Sequence, residues 1–478
     1  MERMHPGWWR PCLALLPAIA GIGFCGVDLA HTDLSVQRTL IAVRRAPHSL
    51  PGDLVADHAA AHPGLWLDLL ALLPGTPSTE TTLSLALSMA TLLSAAAWLK
   101  LRTPALLSLA VGTLAVVLSR DLPGFVDTLP SAPISRAAVL PAVLASWALA
   151  SSTHHRWAGL TAGLAIAIHP AIGASGAVLA GAMSRQPLRL FALACAVGFP
   201  VLGPPLLFST TAFSAHQAAA VAWRWGHHLD LFHGLPITVF MVLWTLHRAV
   251  RATGRDKAVA GVALLLIVFA TGAALGVTTG LLPADLARLH PLHFLVPVAC
   301  WVLLDAASRL STRRVPALLA SVLLLLLGVG APPGWRSTPA PVPPEVIAWC
   351  ADLPSDRLVA IDPRQAGWAR NQLSRGVYVS VKDGGEVVGD RRFVERWATR
   401  LAESCSAEVP PTPQWSPGPG WTRVRMVCSP PERPDQRDFF ADRLAVLQVP
   451  RASDTRGWHV IADDAEWIWI VPSERIRP

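Results

Sequence analysis

Residues 315–345 decide the fold: they read VPALLASVLLLLLGVGA over 315–331 and PPGWRSTPAPVPPE over 332–345. The first part is almost wholly apolar and matches the shortest helices that cross a bilayer, about 17 residues. The second part is rich in proline, which is typical of a linker. Similar apolar runs recur upstream, whereas residues 346–478 have the mixed composition of a soluble domain. The sequence therefore predicts a membrane domain over 1–331, a linker over 332–345 and a soluble domain over 346–478.

The composition of the whole chain supports a membrane domain. Hydrophobic residues make up 52% of the chain and charged residues only 15%, whereas a soluble protein of this length needs more polar surface. We predict an α-helical polytopic membrane protein with about ten or eleven membrane segments and a small α/β or α+β domain after them. The predicted segments are 11–27, 80–98, 104–119, 135–151, 157–183, 188–208, 234–250, 258–280, 290–307 and 315–331.

The segment 157–183 is long, and His169-Pro170 interrupts it, which disfavours a straight helix. Two half-length helices that meet there would return both ends to one side. With this hairpin and a cytoplasmic N-terminus, the basic loops all face the cytoplasm, as the positive-inside rule requires. Those loops hold Lys100, Arg102, Arg156, Arg185, Arg189, Arg251, Arg255, Lys257, Arg309, Arg313 and Arg314. The sequence thus predicts a bacterial inner-membrane protein with an extracytoplasmic C-terminal domain, and loop charge explains the net charge of +8 better than nucleic-acid binding does.

Acidic residues of the outer loops are the candidate catalytic groups. The first outer loop, residues 28–79, contains Asp53 and Asp57, and the next outer loop contains Asp121. A carboxylate at the outer interface can act as a general base toward an acceptor hydroxyl or bind a divalent cation that bridges to phosphate. The alternative is that Asp53 caps a turn and that Asp121 pairs with its neighbour Arg120.

Basic and aromatic residues of the outer loops are the candidate substrate-binding groups. The third outer loop brings together Arg224, His227 and His228, which suit an anionic head group because arginine and imidazole donate hydrogen bonds to phosphate. The alternative is an interfacial aromatic and basic belt, and no partner acid or cysteine spacing supports zinc. His169 at the hairpin tip and Arg288 are predicted to face the same side and are further candidates for substrate binding. The alternative for His169 is a hydrogen bond to the broken backbone, and the alternative for Arg288 is a side chain that extends toward the membrane interface.

The arrangement of these features resembles the GT-C superfamily of integral membrane glycosyltransferases. It is similar, more specifically, to a bacterial group of GT-C-like membrane proteins that has no assigned activity. The motifs that carry the resemblance are Pro51-Gly52-Asp53, His169-Pro170, Arg224-x-x-His227-His228, Asp362-Pro363 and Arg375 through Lys382. One feature departs from the better-known families, whose first loop carries a close acidic pair, because Asp53 and Asp57 are four positions apart.

The resemblance implies transfer of a sugar from a polyprenyl-phosphate carrier to an acceptor, among membrane lipids at the outer face of the membrane. In that interpretation, Asp53 deprotonates the acceptor or holds a metal, while Arg224, His227, His228 and Arg288 bind the donor phosphate. A transporter or flippase is an alternative, and it predicts ionisable residues buried in the middle of the membrane. A non-catalytic assembly protein with the same fold is another.

The tail alternates segments of strand and helix character. We predict strands at 358–361, 377–381 and 424–428, helices at 391–403 and 435–447, and a strand pair at 458–462 and 467–471. The predicted role of this domain is to order the outer loops or to recognise a partner. An oxidising compartment permits disulfides, and the predicted bridge joins Cys405 to Cys428, with Cys350 as the rival partner.

Overall fold

The computed structural model describes most of the helical body and most of the C-terminal domain. Its described residues are 32–59, 64–102, 132–208, 214, 217, 229, 235–283, 290–310, 342–362, 366–380, 383, 391–405, 444–453, 455–463 and 467–472. The predicted segments 11–27, 104–119 and 315–331 lie outside the described residues. The described part is mostly helical and ends in a small mixed sheet.

Eleven helices precede residue 332 in the described part of the chain. They are α1 Thr32–Arg45, α2 Leu54–Asp57, α3 Leu65–Ala71, α4 Pro77–Arg102, α5 Ser135–Ser151, α6 His155–Ile168, α7 Pro170–Met183, α8 Pro187–Phe208, α9 Leu235–Arg251, α10 Gly254–Thr278 and α11 Leu295–Leu310. A short 3₁₀ turn, Pro291–Phe294, leads into α11. From α4 onward the helix ends agree with the predicted segments to within a few residues.

Three of these helical segments are long and apolar enough to cross a membrane, judged by length and composition within the described residues. They are Pro77–Arg102, Gly254–Thr278 and Pro291–Arg309. Shorter apolar helices accompany them at Ser135–Ser151, Pro170–Met183 and Pro187–Val201. This composition is consistent with a membrane protein.

The interrupted segment folds as a hairpin. Helix α6 ends at Ile168 and α7 begins at Pro170, where proline at the first helical position replaces a backbone donor that no helix would use. At the open end of the hairpin, the Ser184 hydroxyl lies 3.0 Å from His155 Nδ1. The two helices pack closely because Gly173 lies against the α6 backbone, where an added Cβ would meet Ala165 at 2.4 Å. The predicted hairpin is therefore confirmed.

The helix ends form two chemically different surfaces. One, which we call the arginine end, joins α4, α9, α10 and α11 through an ion network of Arg102, Arg248, Asp256, Asp305 and Arg309. The other, the loop end, carries the hairpin tip and the described first loop, where Trp66 donates a hydrogen bond to the Pro133 carbonyl before α5. Of the basic residues that were predicted to share one side, Arg102 and Arg309 therefore share one end of the body, while Arg313 and Arg314 lie outside the described residues.

The C-terminal domain contains α12 Pro344–Ala351, β1 Leu358–Ala360, α13 Ala366–Leu373, α14 Arg391–Cys405, β2 Leu444–Pro450, β3 Trp458–Asp463 and β4 Trp467–Pro472. The strand order is β1-β2-β4-β3, with β1 and β2 parallel and the other pairs antiparallel. The predicted helix at 391–403 and the predicted strand pair are confirmed.

Two predicted elements of this domain need correction. Residues 444–447, expected at the end of a helix, belong to β2, whose buried side chains fill both faces of the sheet. Pairing with β1 and β4 overrides the local helical pattern there. Residues 377–380 form no regular strand, and only Val377 makes an isolated bridge to Val359. Cys350 is a buried free cysteine, while the predicted Cys405–Cys428 bridge involves Cys428, which is outside the described residues.

Candidate functional site

The Asp53 carboxylate is buried in an ion pair between the first loop and the C-terminal domain. Its Oδ1 accepts hydrogen bonds from the Val55 and Ala56 amides at 3.0 and 3.3 Å, so the residue caps α2. Its Oδ2 accepts hydrogen bonds from Arg370 Nε at 2.7 Å and from the Val377 amide at 2.9 Å. The turn-capping alternative is thus what the structure contains, although the position is buried.

Arg370 on α13 is shared between two carboxylates. In addition to Asp53, it contacts Asp383 through two hydrogen bonds, Nη1 to Oδ1 at 3.1 Å and Nη2 to Oδ2 at 2.6 Å. We call Asp53, Arg370 and Asp383 the interdomain triad. Asp53 and Asp383 are 0% exposed and Arg370 is 1% exposed. Such burial is tolerable only because the guanidinium is surrounded by acceptors, including the Thr39 hydroxyl at 3.3 Å.

The electrostatics of the triad keep Arg370 charged. Burial alone would lower the pKa of the Arg370 guanidinium, but the Asp383 and Asp53 carboxylates raise it above its ordinary value. One cation faces two anions, and burial raises the pKa of Asp383, which Arg370 only partly offsets. The triad therefore contains two buried carboxylates and one cation. Removal of that cation should destabilise the protein more than removal of either carboxylate, because it leaves both carboxylates without a counter-charge.

The first loop and the C-terminal domain contact each other along a continuous surface around the triad. The Asn371 amide group donates to the Ser35 carbonyl at 3.1 Å, and Arg400 Nη1 donates to the Gly52 carbonyl at 3.0 Å. Gly376 permits the close approach, because an added Cβ there would meet the Asp53 Cβ at 3.1 Å and Leu358 at 2.7 Å. Through these contacts the C-terminal domain holds the first loop in place, in agreement with its predicted role of ordering loops.

A second cluster lies beside the triad at the surface. Arg396 on α14 bonds Asp57 Oδ2 at 3.2 Å and lies 3.4 Å from His58 Nε2. The side chains of Arg396 and Asp57 are 46% and 33% exposed. The His58 ring packs edge-on against Phe393 at 5.4 Å. Of the two acids predicted in the first loop, Asp57 is therefore the one that solvent and a ligand can reach.

The hairpin tip belongs to a cluster of histidines. His169 caps α7, with Nδ1 accepting from the Ile172 amide at 3.5 Å, so the expected backbone bond is present. Its ring centroid lies 5.5 Å from that of His293, and the His293 ring stacks on that of His290 at 4.8 Å. The sequence places Arg288 just before this cluster, although Arg288 itself is outside the described residues.

The structure brings some of the predicted site residues to the loop end and does not describe others. Asp53, Asp57 and His169 are described, whereas Asp121, Arg224, His227, His228 and Arg288 lie outside the described residues. The catalytic role of Asp53 stays a prediction, and its contacts give it a structural role. Sequence reasoning missed Arg370, Asp383 and Arg396, because no local pattern marks an arginine that pairs with a residue more than 300 positions away.

The described residues do not fit the divalent cation that the resemblance allows. No group of three or more histidine, cysteine or acidic side chains in the described part of the chain is placed to hold a metal ion. Both Asp53 oxygens are already engaged, and Asp57 is a single carboxylate beside an arginine. No family model matches the chain, and no curated protein matches it.

Proposed function

We propose that the protein is a polytopic membrane glycosyltransferase with a GT-C-like architecture, which transfers a sugar from a polyprenyl-phosphate carrier at the outer face of the bacterial inner membrane. One observation carries the proposal: ligand-accessible acidic, imidazole and guanidinium groups gather at the loop end of an apolar helical body. The arginine end holds ion pairs among its own helices. Such asymmetry suits an enzyme with one working face better than a transporter, which needs a path through the body.

In this proposal Asp57 acts on the acceptor. Its carboxylate is accessible, lies on the loop that the C-terminal domain holds in place, and has His58 as its neighbour. A carboxylate there can accept the proton of an acceptor hydroxyl as that hydroxyl attacks the sugar. Asp53 then holds the loop through Arg370, while the outer-loop residues Arg224, His227, His228 and Arg288 remain the proposed ligands of the donor phosphate.

The test compares two acidic residues of the same loop. Asp57→Asn keeps the size of the side chain but loses its basicity and charge, so transfer should be abolished while the protein remains folded. The matched control is Asp68→Asn, because the Asp68 side chain is 61% exposed and its ion-pair partner among the described residues is Arg44 on α1. Turnover of lipid-linked sugar and glycan profiles in membranes that carry each variant measure the effect.

The burial of Asp53 favours one alternative, a non-catalytic assembly protein that has kept the fold. A triad with every oxygen engaged strengthens a scaffold without requiring chemistry. Unchanged glycans in a deletion strain, together with full turnover in Asp57→Asn, would support this alternative and reject the transferase.

A further inference from the structure

The loop end holds a second group of polar side chains that the sequence did not assemble into a site. It consists of His169, His290 and His293, together with Arg136 in the first turn of α5, and we call it the histidine cluster. The positive charge of Arg136 acts on the His169 imidazole. His169, His290 and Arg136 are half-exposed, whereas His293 is 2% exposed beneath them.

The backbone at His290 is held in a costly conformation. Its φ of 45° and ψ of 62° are left-handed, a conformation that residues other than glycine adopt at an energetic cost. The turn brings the His290 and His293 rings into a stack with an interplanar angle of 12°. Strain of this kind persists where the surrounding structure requires it, and it concentrates at ligand-binding positions.

The chemistry of the histidine cluster selects an anion. Stacked rings do not direct their nitrogens to one point, and no metal-binding group was found among the described residues. Since His169 Nδ1 accepts a backbone hydrogen bond, its Nε2 carries the proton and is a donor. Imidazole N–H groups can donate hydrogen bonds to the oxygens of a phosphate, and the positive charge of Arg136, which acts on His169, favours an anion.

We propose that the histidine cluster binds the phosphate of a phosphorylated ligand at the loop end, through His169, His290 and Arg136. This inference rests on the proposed function, for which it adds described residues to the donor-phosphate site. The ligand is a phosphate carried by a lipid or a free phosphate, and the two share the chemistry that the cluster recognises. His293 lies beneath the other rings and positions His290.

The test measures binding directly, without turnover. Detergent-purified full-length protein is titrated with a polyprenyl monophosphate, with the corresponding polyprenyl alcohol and with inorganic phosphate, and the shift of Tm is recorded. The lipid phosphate should raise Tm, while the alcohol should not. His290→Asn should weaken the apparent affinity about tenfold, because asparagine tolerates the left-handed backbone but does not reproduce the imidazole. Arg136→Gln should weaken it by a similar factor.

The matched control is Arg251→Gln, which removes the same charge from an exposed position at the arginine end and should leave binding unchanged. His290→Gly, which relieves the left-handed backbone, distinguishes lost binding from lost folding because it should lose affinity without losing Tm in the absence of ligand. A response to inorganic phosphate that the same variants abolish supports the site and identifies free phosphate as a ligand.

Two results overturn the inference: no Tm response of the wild-type protein to either phosphate, or an undiminished response in both His290→Asn and Arg136→Gln. Failure of the proposed function looks different. In that case the phosphate response persists and depends on the cluster, while lipid-linked sugar turnover is absent from wild-type membranes.

Discussion

The two ends of the molecule use the same ionic groups in different surroundings. At the arginine end, three arginines meet Asp256 and Asp305, and the Asp256 and Arg309 side chains are 32% and 38% exposed. In the interdomain triad, one arginine meets two acids, and none of the three is more than 1% exposed. Water can replace a lost partner of Asp256 or Arg309, whereas Arg248 and Asp305, with side chains 7% and 1% exposed, depend on the other members of the network. The comparison teaches that a single charge matters most where neither water nor a second partner can replace it, as for Arg370 in the triad, whereas Asp256 and Asp305 each have three arginine partners.

The largest expected effect is the loss of the triad's cation. Arg370→Met keeps much of the side-chain volume but leaves Asp53 and Asp383 buried without a counter-charge, so stability should fall by about 3–5 kcal/mol. The matched control is Arg451→Met, which breaks a pair whose side chains are 58% and 55% exposed and should cost less than about 1 kcal/mol. Thermal unfolding of the detergent-purified protein measures both, and equal effects would contradict the comparison.

The effect of Asp53→Asn on stability should have opposite signs with and without Arg370. In the otherwise wild-type protein, Asp53→Asn should lower the free energy of unfolding by about 1–3 kcal/mol. The reason is that the new NH₂ group would face Arg370 and backbone amides, which are themselves donors. In the Arg370→Met background the same substitution should stabilise, since it removes an uncompensated buried carboxylate. A double-mutant cycle on unfolding free energies measures this. Additive effects of the two substitutions would show that Asp53 and Arg370 do not interact energetically.

The smallest expected effect is at the arginine end. Asp256→Ala should cost about 1 kcal/mol or less, because the partner arginines remain able to reach water or Asp305. The cost should shrink further at high salt, whereas the effect of Arg370→Met should not, since salt screens exposed charges much more than buried ones. Unfolding measured at two ionic strengths tests this contrast. A cost of Arg370→Met that shrinks at high salt would contradict the burial of the triad.

The sequence predicted those features that have local signals. A proline inside an apolar run marked the hairpin. The loop charges grouped Arg102 with Arg309, and these two residues share one ion network in the structure. The strand β2 was missed at residues 444–447, because its partner β1 is distant in sequence and the local pattern is helical. The triad had no local signal at all, since 317 positions separate Asp53 from Arg370. The spacing of His290 and His293 was visible, but the left-handed turn that stacks their rings was not.

The proposed function requires that the two ends face opposite sides of a membrane, with the loop end outward. Single cysteines in a cysteine-free background report this directly. One replaces Asp68 in the first loop, and the other replaces Arg251 at the arginine end, both at exposed positions.

The decisive measurement is the labelling of these two cysteines by a membrane-impermeant maleimide in cells whose outer barrier has been opened while the inner membrane stays intact. The account predicts that Asp68→Cys is labelled at once and that Arg251→Cys is labelled only after the inner membrane is disrupted. Labelling of Arg251→Cys in intact cells with protection of Asp68→Cys would reverse the orientation and contradict a working face at the loop end.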